Sequence, residues 1–269
     1  MAQLRPYAVS APRRFAAALA AVTNEVARRS PAPHDFPFFG LDHPPGAGAR
    51  LLERLSELGI FRFYERVLDV AGGIGGPARW LARRRGCHVI SVDRDRERAA
   101  ASRLLVRRAY LDAAVGVAVA ALERLPAADA SFTHAWSVEA LDGEADRRPI
   151  WAELFRVVRP GGHVALQEWV RADDVRAAGP GTGVAARAYL GELRAAGFRE
   201  LRVEEARGPL ESEPALAEVV GRRLAEALGA APADERNGLD AARARLEAHD
   251  REVDAGRLVL VQIFARRPA

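Results

Sequence analysis

The sequence predicts an α/β fold: an open, doubly wound, mostly parallel sheet with helices packed against it. Three observations lead there. Val67-Leu68-Asp69-Val70 reads as a strand that runs into the glycine loop 71–76, and Pro77 opens a helix directly after it. Pro at a first helical position costs nothing, because its missing N–H would be unpaired there anyway. Further on, apolar strands alternate with helix-length segments as far as residue 170, which implies parallel strands joined by right-handed crossovers. Finally, 269 residues suffice for one substantial α/β core.

Taken in order, residues 12–29 are a helix, with Phe15, Leu19, Val22 and Val26 recurring on one face. Residues 30–48 form a Pro/Gly-rich connector that carries Phe36, Phe38, Phe39 and His43. A polar linker would not hold so many rings, so residues 1–48 are expected to act as a helical and aromatic lid. A helix over 49–59 buries Leu51, Leu52, Leu55 and Leu58. Strand 67–71 and helix 77–85 follow, the helix turning Arg83-Arg84-Arg85 to solvent. Strand 88–93 leads into helix 95–109, capped by Asp95. A weak strand at 115–120, a strand at 132–138, a helix at 146–158 and a strand at 162–170 complete the alternation. The C-terminal part breaks that rhythm: helix 184–196, stopped by Gly197, strand 198–205, a polar helical insertion at 213–250 and a last strand at 257–265.

Composition excludes several classes. Forty basic residues against 36 acidic leave a net charge of +4, and the pI is near 9.9. Every base is arginine, however, and the longest basic run is Arg83-Arg84-Arg85. The high pI therefore reflects arginine's pKa rather than a field suited to nucleic acid. A single cysteine, Cys87, rules out an internal disulfide and a multi-Cys metal site, and its place before a strand suits a buried, inert thiol. No metal is expected. No apolar run approaches the ~20 residues of a membrane span. Arg13-Arg14 before an apolar stretch mimics an export signal, but Thr23-Asn24-Glu25 ends the stretch and no cleavage site follows. A cytoplasmic protein, monomer or homodimer, without membrane or nucleic-acid partner is expected.

The loop 71–76 is a nucleotide-type turn. Glycines let backbone N–H groups approach a ligand beside the positive end of a helix. Gly73, Gly75 and Ala78 satisfy the G-x-G-x-x-G/A dinucleotide spacing, and Asp93 ends the next strand where an acid reads ribose hydroxyls. Two details favour S-adenosylmethionine over NAD(P). Asp69 puts a carboxylate where a ligand with a free ammonium group has use for it. Leu154-Phe155-Arg156-Val157-Val158-Arg159-Pro160-Gly161-Gly162 ends a helix and turns into an apolar strand.

On these residues the chain resembles the class I S-adenosylmethionine-dependent methyltransferases. Asp69 to Gly75 is similar to their first motif and Ser91-Val92-Asp93 to their acidic strand end. Leu125-Pro126 with Asp129-Ala130-Ser131-Phe132 resembles their entry to the fourth strand, and Arg159-Pro160-Gly161-Gly162 the turn before the fifth. The likeness covers roughly residues 43–172. Ile74-Gly75-Gly76-Pro77-Ala78 and Trp136-Ser137-Val138-Glu139 resemble the small-molecule branch that includes tocopherol, sterol and sarcosine-type enzymes. The resemblance implies a Rossmann-like, seven-stranded sheet whose last strand lies antiparallel beside the fifth. It also implies S-adenosyl-L-methionine as cofactor, a small-molecule methyl acceptor, and a methyltransferase domain over 49–269 with its cofactor half at 49–172.

Roles follow residue by residue. Ala71, Gly72, Gly73 and Gly75 are expected to line the cofactor, Asp69 to meet its ammonium group, and Asp93 to accept from both ribose hydroxyls. Trp136 and Ser137, ending the fourth strand, fall beside the methionine portion. Two positions depart from the family. Ala71 replaces its first loop glycine, and Ala121 stands where members often carry an Asp for the adenine amino group, leaving Leu122, Arg94 and backbone groups for adenine. For catalysis, Glu139, Glu168 and His43 are the candidates for acceptor contact, with Trp169 as pocket wall. No His–carboxylate pair is visible at the recognisable strand ends, so catalysis is expected to rest on placement, since a sulfonium methyl is already activated. An NAD(P)-dependent oxidoreductase and a non-catalytic module that binds S-adenosylmethionine or S-adenosylhomocysteine stand as alternatives.

Overall fold

The computed structural model describes residues 12–29, 38, 41–44, 49–172, 186–206, 244 and 247–269, without the side chains of 24–29, 49, 58 and 186. The strands β1 (Arg66–Val70), β2 (His88–Asp93), β3 (Val115–Val119), β4 (His134–Val138), β5 (His163–Arg171), β6 (Arg199–Glu205) and β7 (Leu258–Arg266) form one sheet. Its order is β3-β2-β1-β4-β5-β7-β6. The pairs from β3 through β5 are parallel, and β7 inserts antiparallel between β5 and β6. The expected mostly parallel sheet with its last strand beside the fifth is thus the observed one. Strand order reverses between β1 and β4, and open sheets of this kind bind ligands in the crevice outside the carboxyl ends at that switch point.

The helices are α1 (Pro12–Arg29), α2 (Ala49–Leu58), α3 (Gly76–Arg85), α4 (Arg96–Arg108), α5 (Arg148–Val157) and α6 (Ala186–Ala195). Side chains alternate between faces along a strand. Leu68, Val70, Ala135, Val164 and Leu166 join Trp151 and Leu154 of α5 and Tyr189 and Leu193 of α6. Val67, Val89, Trp136, Val138 and Ala165 join Leu52 and Leu55 of α2 and Trp80 and Leu81 of α3. Phe15, Leu19 and Val22 of α1 bury against Ala101 and Leu105 of α4, with Phe38, Leu41 and Ile74. The helical period of α1 therefore marks a docked helix.

Boundaries moved where local chemistry decided. β4 starts at His134 rather than 132, because Phe132 makes an isolated bridge to Val158 outside the strand. α3 starts at Gly76, one residue before Pro77. Pro149 in the first turn of α5 delays that helix to Arg148. Asp95 caps α4 as expected, accepting from the Glu97 and Arg98 N–H groups at 2.7 and 3.2 Å. Arg83 and Arg84 are exposed, while the half-buried Arg85 donates to Ser56 Oγ at 2.8 Å. Cys87 is buried, and burial pushes its thiol up to about 12. Val26, Phe36, Phe39 and most of the 213–250 insertion lie outside the described side chains or residues.

Candidate active site

β1 delivers Asp69 to the site with its side chain on the α3 side of the sheet. In register, Asp69 stands opposite Ser91 of β2 and Trp136 of β4. The Ser91 hydroxyl donates to Asp69 Oδ2 at 2.6 Å. Burial raises the Asp69 pKa to about 7 against the opposing Ser91 hydrogen bond and the nearby Trp136 indole, with Asp93 adding to the rise and Arg79 opposing it. A carboxyl at that balance point ionises when a cation arrives beside it.

The turn itself is shaped around this carboxyl. A Cβ on Gly72 would stand 2.0 Å from both Asp69 Oδ2 and Ser91 Oγ, so only glycine fits. Gly73, at φ 57°, has open space where a Cβ would stand, and its N–H donates to Asp93 Oδ2 at 2.9 Å. Asp93 Oδ1 accepts from the Asp95 N–H at 2.8 Å. Each carboxylate oxygen still has a lone pair to offer a ligand hydroxyl. Ala71 takes φ 54° despite its methyl group, a conformation that costs an L-residue roughly 1–2 kcal/mol. Ser137 Oγ donates to the Val70 carbonyl at 3.1 Å and ties β4 to the start of the turn, whereas Trp136 is wholly buried beside Phe61.

The segment after β3, with Arg94 beside it, is more open. Ala121 is exposed, and Leu122 buries its side chain in the core on the α5 face. Arg94, half exposed, donates to Glu144 Oε2 at 2.9 Å and lies 3.8 Å from Glu123 Oε2. It thereby links the segments after β3 and β4.

The strap before α2 clamps the turn from outside, through Asp42 and Arg79, to which the sequence alone assigned no role. Arg79, one turn into α3, is fully buried; it donates to the Ile74 carbonyl at 2.7 Å and to Asp42 Oδ2 at 2.5 Å. Its guanidinium also lies 5.4 Å over the Phe38 ring. Asp42 Oδ1 is 2.9 Å from His43 Nδ1. Burial works against the Asp42 charge, but His43 and Arg79 together hold its pKa below the ordinary carboxylate range. A Cβ on Gly76 would meet the Asp42 carbonyl at 2.1 Å and His43 Nδ1 at 2.9 Å. His43 is therefore packed on the start of α3, in a cluster with Asp42 and Arg79.

At the carboxyl ends of β4 and β5 the two glutamates take opposite faces. Glu139 has φ 54°. Its Oε1 accepts from Gln167 Nε2 at 3.1 Å and its Oε2 from the Trp169 indole at 2.8 Å. Gln167 Oε1 in turn accepts from Gln262 Nε2 at 2.9 Å, and that amide also donates to the Leu51 carbonyl at 2.8 Å. Glu168 points the other way and is fully buried; its Oε1 accepts from the Ala140 and Leu141 N–H groups at 3.3 and 3.1 Å. Burial, with Asp142 adding, raises its pKa well above the usual carboxylate range. Its neighbour Tyr189 is raised as well, first by burial and then by Glu168. Trp169, half buried, also meets His249 edge to face at 4.9 Å. Neither the sequence reading nor helical periodicity singled out His249; a His-Asp dipeptide just before the last strand was the available signal. The described contacts join Glu139 with Trp169, place Glu168 beneath them on the other face, and attach His43 to the glycine turn.

The sheet order departs from the 3-2-1-4-5-6 order of dinucleotide-binding domains. Its antiparallel β7 and the carboxyls at Asp69 and Asp93 define an α/β nucleotide site of another class. Residues 68–166 match the family described as a methyltransferase domain. The chain is 37% identical over 124 residues to methyltransferase GfsG of Streptomyces halstedii, covering 46% of this chain and 45% of that one. It is 34% identical over 128 residues to 24-methylenesterol C-methyltransferase 2 of Oryza sativa subsp. japonica, covering 48% and 35%. The matched part is thus less than half the length of these relatives. The structure of the [4+2]-cyclase SpnF superposes with a TM-score of 0.63 at 24% identity, over 84% of this chain and 86% of that one, and shares the fold. Residues 68–166 thus match a methyltransferase domain, and the cofactor of such domains is S-adenosylmethionine. The residues here fit that cofactor: an open backbone at Gly73 stands between the buried Asp69 carboxyl and the Asp93 carboxylate, whose oxygens keep lone pairs for ligand hydroxyls.

Proposed function

We propose that the protein transfers a methyl group from S-adenosylmethionine to an O, N or C nucleophile of a small, partly apolar molecule. The observation that supports this most is the placement of Asp69 and Asp93 on either side of Gly73, at the strand-order reversal. In this reading Asp69, ionising, meets the α-ammonium group, and Asp93 accepts from the ribose hydroxyls. Ala71, Gly72, Gly73 and Gly75 give the backbone approach, Ser137 and Trp136 fix the floor beneath the methionine portion, and Arg94, Ala121 and Leu122 border the adenine. The cofactor supplies an activated sulfonium methyl. The chain's own task is to hold the acceptor in line and keep water out. Glu139 and Trp169 border the acceptor, Glu168 supports the segment 140–141 above it, and His43 holds the strap on the turn.

The domain reading is a lid at 1–48 and a methyltransferase domain at 49–269, in a cytoplasmic monomer or homodimer without nucleic-acid or membrane partners. Among the described residues no helix is long and apolar enough to cross a membrane. A second reading, a module of this fold that binds the cofactor without transferring methyl, draws on the [4+2]-cyclase likeness and on Ala71 and Ala121. Calorimetry with S-adenosylmethionine, S-adenosylhomocysteine and NADH tests the cofactor. Mass spectrometry of co-purifying small molecules, then incubation with methyl-labelled cofactor, tests transfer. Label in a small molecule supports the first reading; tight cofactor binding with no label transferred supports the second.

A further inference from the structure

The C-terminal helical stretch 247–254 brings a histidine to the end of the sheet. It turns at Gly256 into β7, which pairs with β5 from Arg171↔Leu258 to His163↔Arg266. The Ala172 N–H donates to the Arg257 carbonyl at 2.9 Å, so the stretch is tethered where β5 ends. There His249 and Trp169 meet with ring centroids 4.9 Å apart at 84°, and the same indole donates to Glu139 at 2.8 Å. Imidazole, indole and carboxylate thus stand in consecutive contact beside the proposed acceptor site. The His249 side chain is 26% exposed, so the ring that packs on Trp169 also has access to solvent. Its Nδ1 is buried without a hydrogen-bond partner, 3.7 Å from Asp250 Oδ1. A carboxylate on that side favours the tautomer protonated at Nδ1 and leaves the Nε2 lone pair available. Such contacts are commonly long before ligands bind and tighten in the complex.

We propose that His249, oriented by Asp250, is the base on the acceptor side, and that the acceptor nucleophile is a hydroxyl. This rests on the methyl-transfer reading above. A neutral amine has a free lone pair without a base, whereas a hydroxyl holds its proton until the new bond forms. Imidazole is a base matched to that proton near neutral pH. The acceptor oxygen's lone pair forms the O–CH3 bond as the S–CH3 bond breaks, its electron pair going to sulfur and leaving a neutral thioether. The hydroxyl proton passes to Nε2, and the imidazolium, held beside Asp250, returns it to water through its exposed edge.

The test uses the full chain, para-substituted phenols spanning a range of acidity, and the variants His249→Ala and His249→Gln. With S-adenosylhomocysteine bound, phenols are expected to shift the His249 side-chain resonance in the NMR spectrum of the wild type. With S-adenosylmethionine at pH 8, both variants are expected to lose about 10²-fold in turnover of weakly acidic phenols. Turnover of a nitrophenol, already ionised, should be nearly unchanged, and cofactor affinity should be the same by calorimetry. A resonance that no phenol moves overturns the proposal, as does an equal loss on ionised and un-ionised phenols. If phenols move the resonance while the wild type makes no methylated product, the contact stands and the methyl-transfer reading fails, taking the base role with it.

Discussion

Arg79 and Asp42, 37 residues apart, meet at 2.5 Å with neither side chain reaching solvent. The pair fastens the strap at 41–44 to the first turn of α3, and so to the glycine turn that α3 carries. Removing one partner leaves the other charge buried and uncompensated, which costs about 3–5 kcal/mol. Arg79→Met and Asp42→Asn should each destabilise the fold by that order in denaturant unfolding. The double change Arg79→Met/Asp42→Leu should recover much of the loss. Single changes costing under about 1 kcal/mol would show that the strap does not hold the turn.

Asp69 gives a pH prediction with a definite sign. Its folded pKa, about 7, lies above the ordinary 3.8. The folded state therefore binds the proton more tightly than the unfolded chain between those values. Its contribution to stability is fullest below pH 3.8, falls as pH rises and levels off above 7, a span of roughly 4 kcal/mol. An ammonium group beside it reverses the preference, so binding S-adenosylmethionine at pH 6 should release close to one proton. Calorimetry in buffers of different ionisation enthalpy measures that release, and Asp69→Asn should abolish it. Binding without proton release at pH 6 would place the ammonium elsewhere.

Asp93 should matter more for affinity than for fold. Asp93→Ala removes the proposed ribose acceptor and the partner of the Gly73 and Asp95 N–H groups. Hydrogen bonds to a charged group are worth roughly 1.5–3 kcal/mol, so cofactor affinity should fall by that amount in calorimetry. Unchanged affinity in a folded variant removes the ribose assignment.

Most of the sheet and the turn were legible because their signals are local. Apolar β-branched runs mark β1 and β2, Asp95 marks a cap, and glycine spacing with Asp93 marks the turn. Arg79 was illegible for the opposite reason. An arginine inside a helix normally reads as solvent-facing, and only the distant Asp42 makes burial affordable. His249 sits in a polar helical stretch whose position is set by β7 pairing with β5, nearly a hundred residues earlier in the chain. The Glu139–Gln167–Gln262 chain likewise exists only once β4, β5 and β7 are side by side.

Ala71 offers a direct measure of strain at the turn. Its φ of 54° is a left-handed conformation that glycine adopts freely. Ala71→Gly relieves the methyl group's clash but enlarges the unfolded chain's freedom, which returns about 0.4–1 kcal/mol. A net gain of up to about 1 kcal/mol in unfolding free energy is expected, with cofactor affinity held or improved. A clear loss of stability would mean that the Ala71 methyl group contributes packing that outweighs its strain.

Glu168 separates a structural carboxyl from a catalytic one. Its folded pKa is raised well above the ordinary 4.5, chiefly by burial and then by Asp142. The protonated form therefore stabilises the fold most below pH 4.5, and that contribution declines as pH climbs toward the folded value. Glu168→Gln keeps a neutral carbonyl for the Ala140 and Leu141 N–H groups, so at pH 8 it should match or exceed the wild type in stability. Glu168→Ala leaves those groups unpaired and should cost about 1–3 kcal/mol. Glu168→Gln, Glu139→Gln and His43→Ala should each slow turnover toward the low end of the 10²–10⁴-fold range for lost acid–base groups, because each orients rather than titrates. If Glu168→Gln abolishes turnover while cofactor and acceptor still bind normally, Glu168 ionises in the working complex and takes the proton itself.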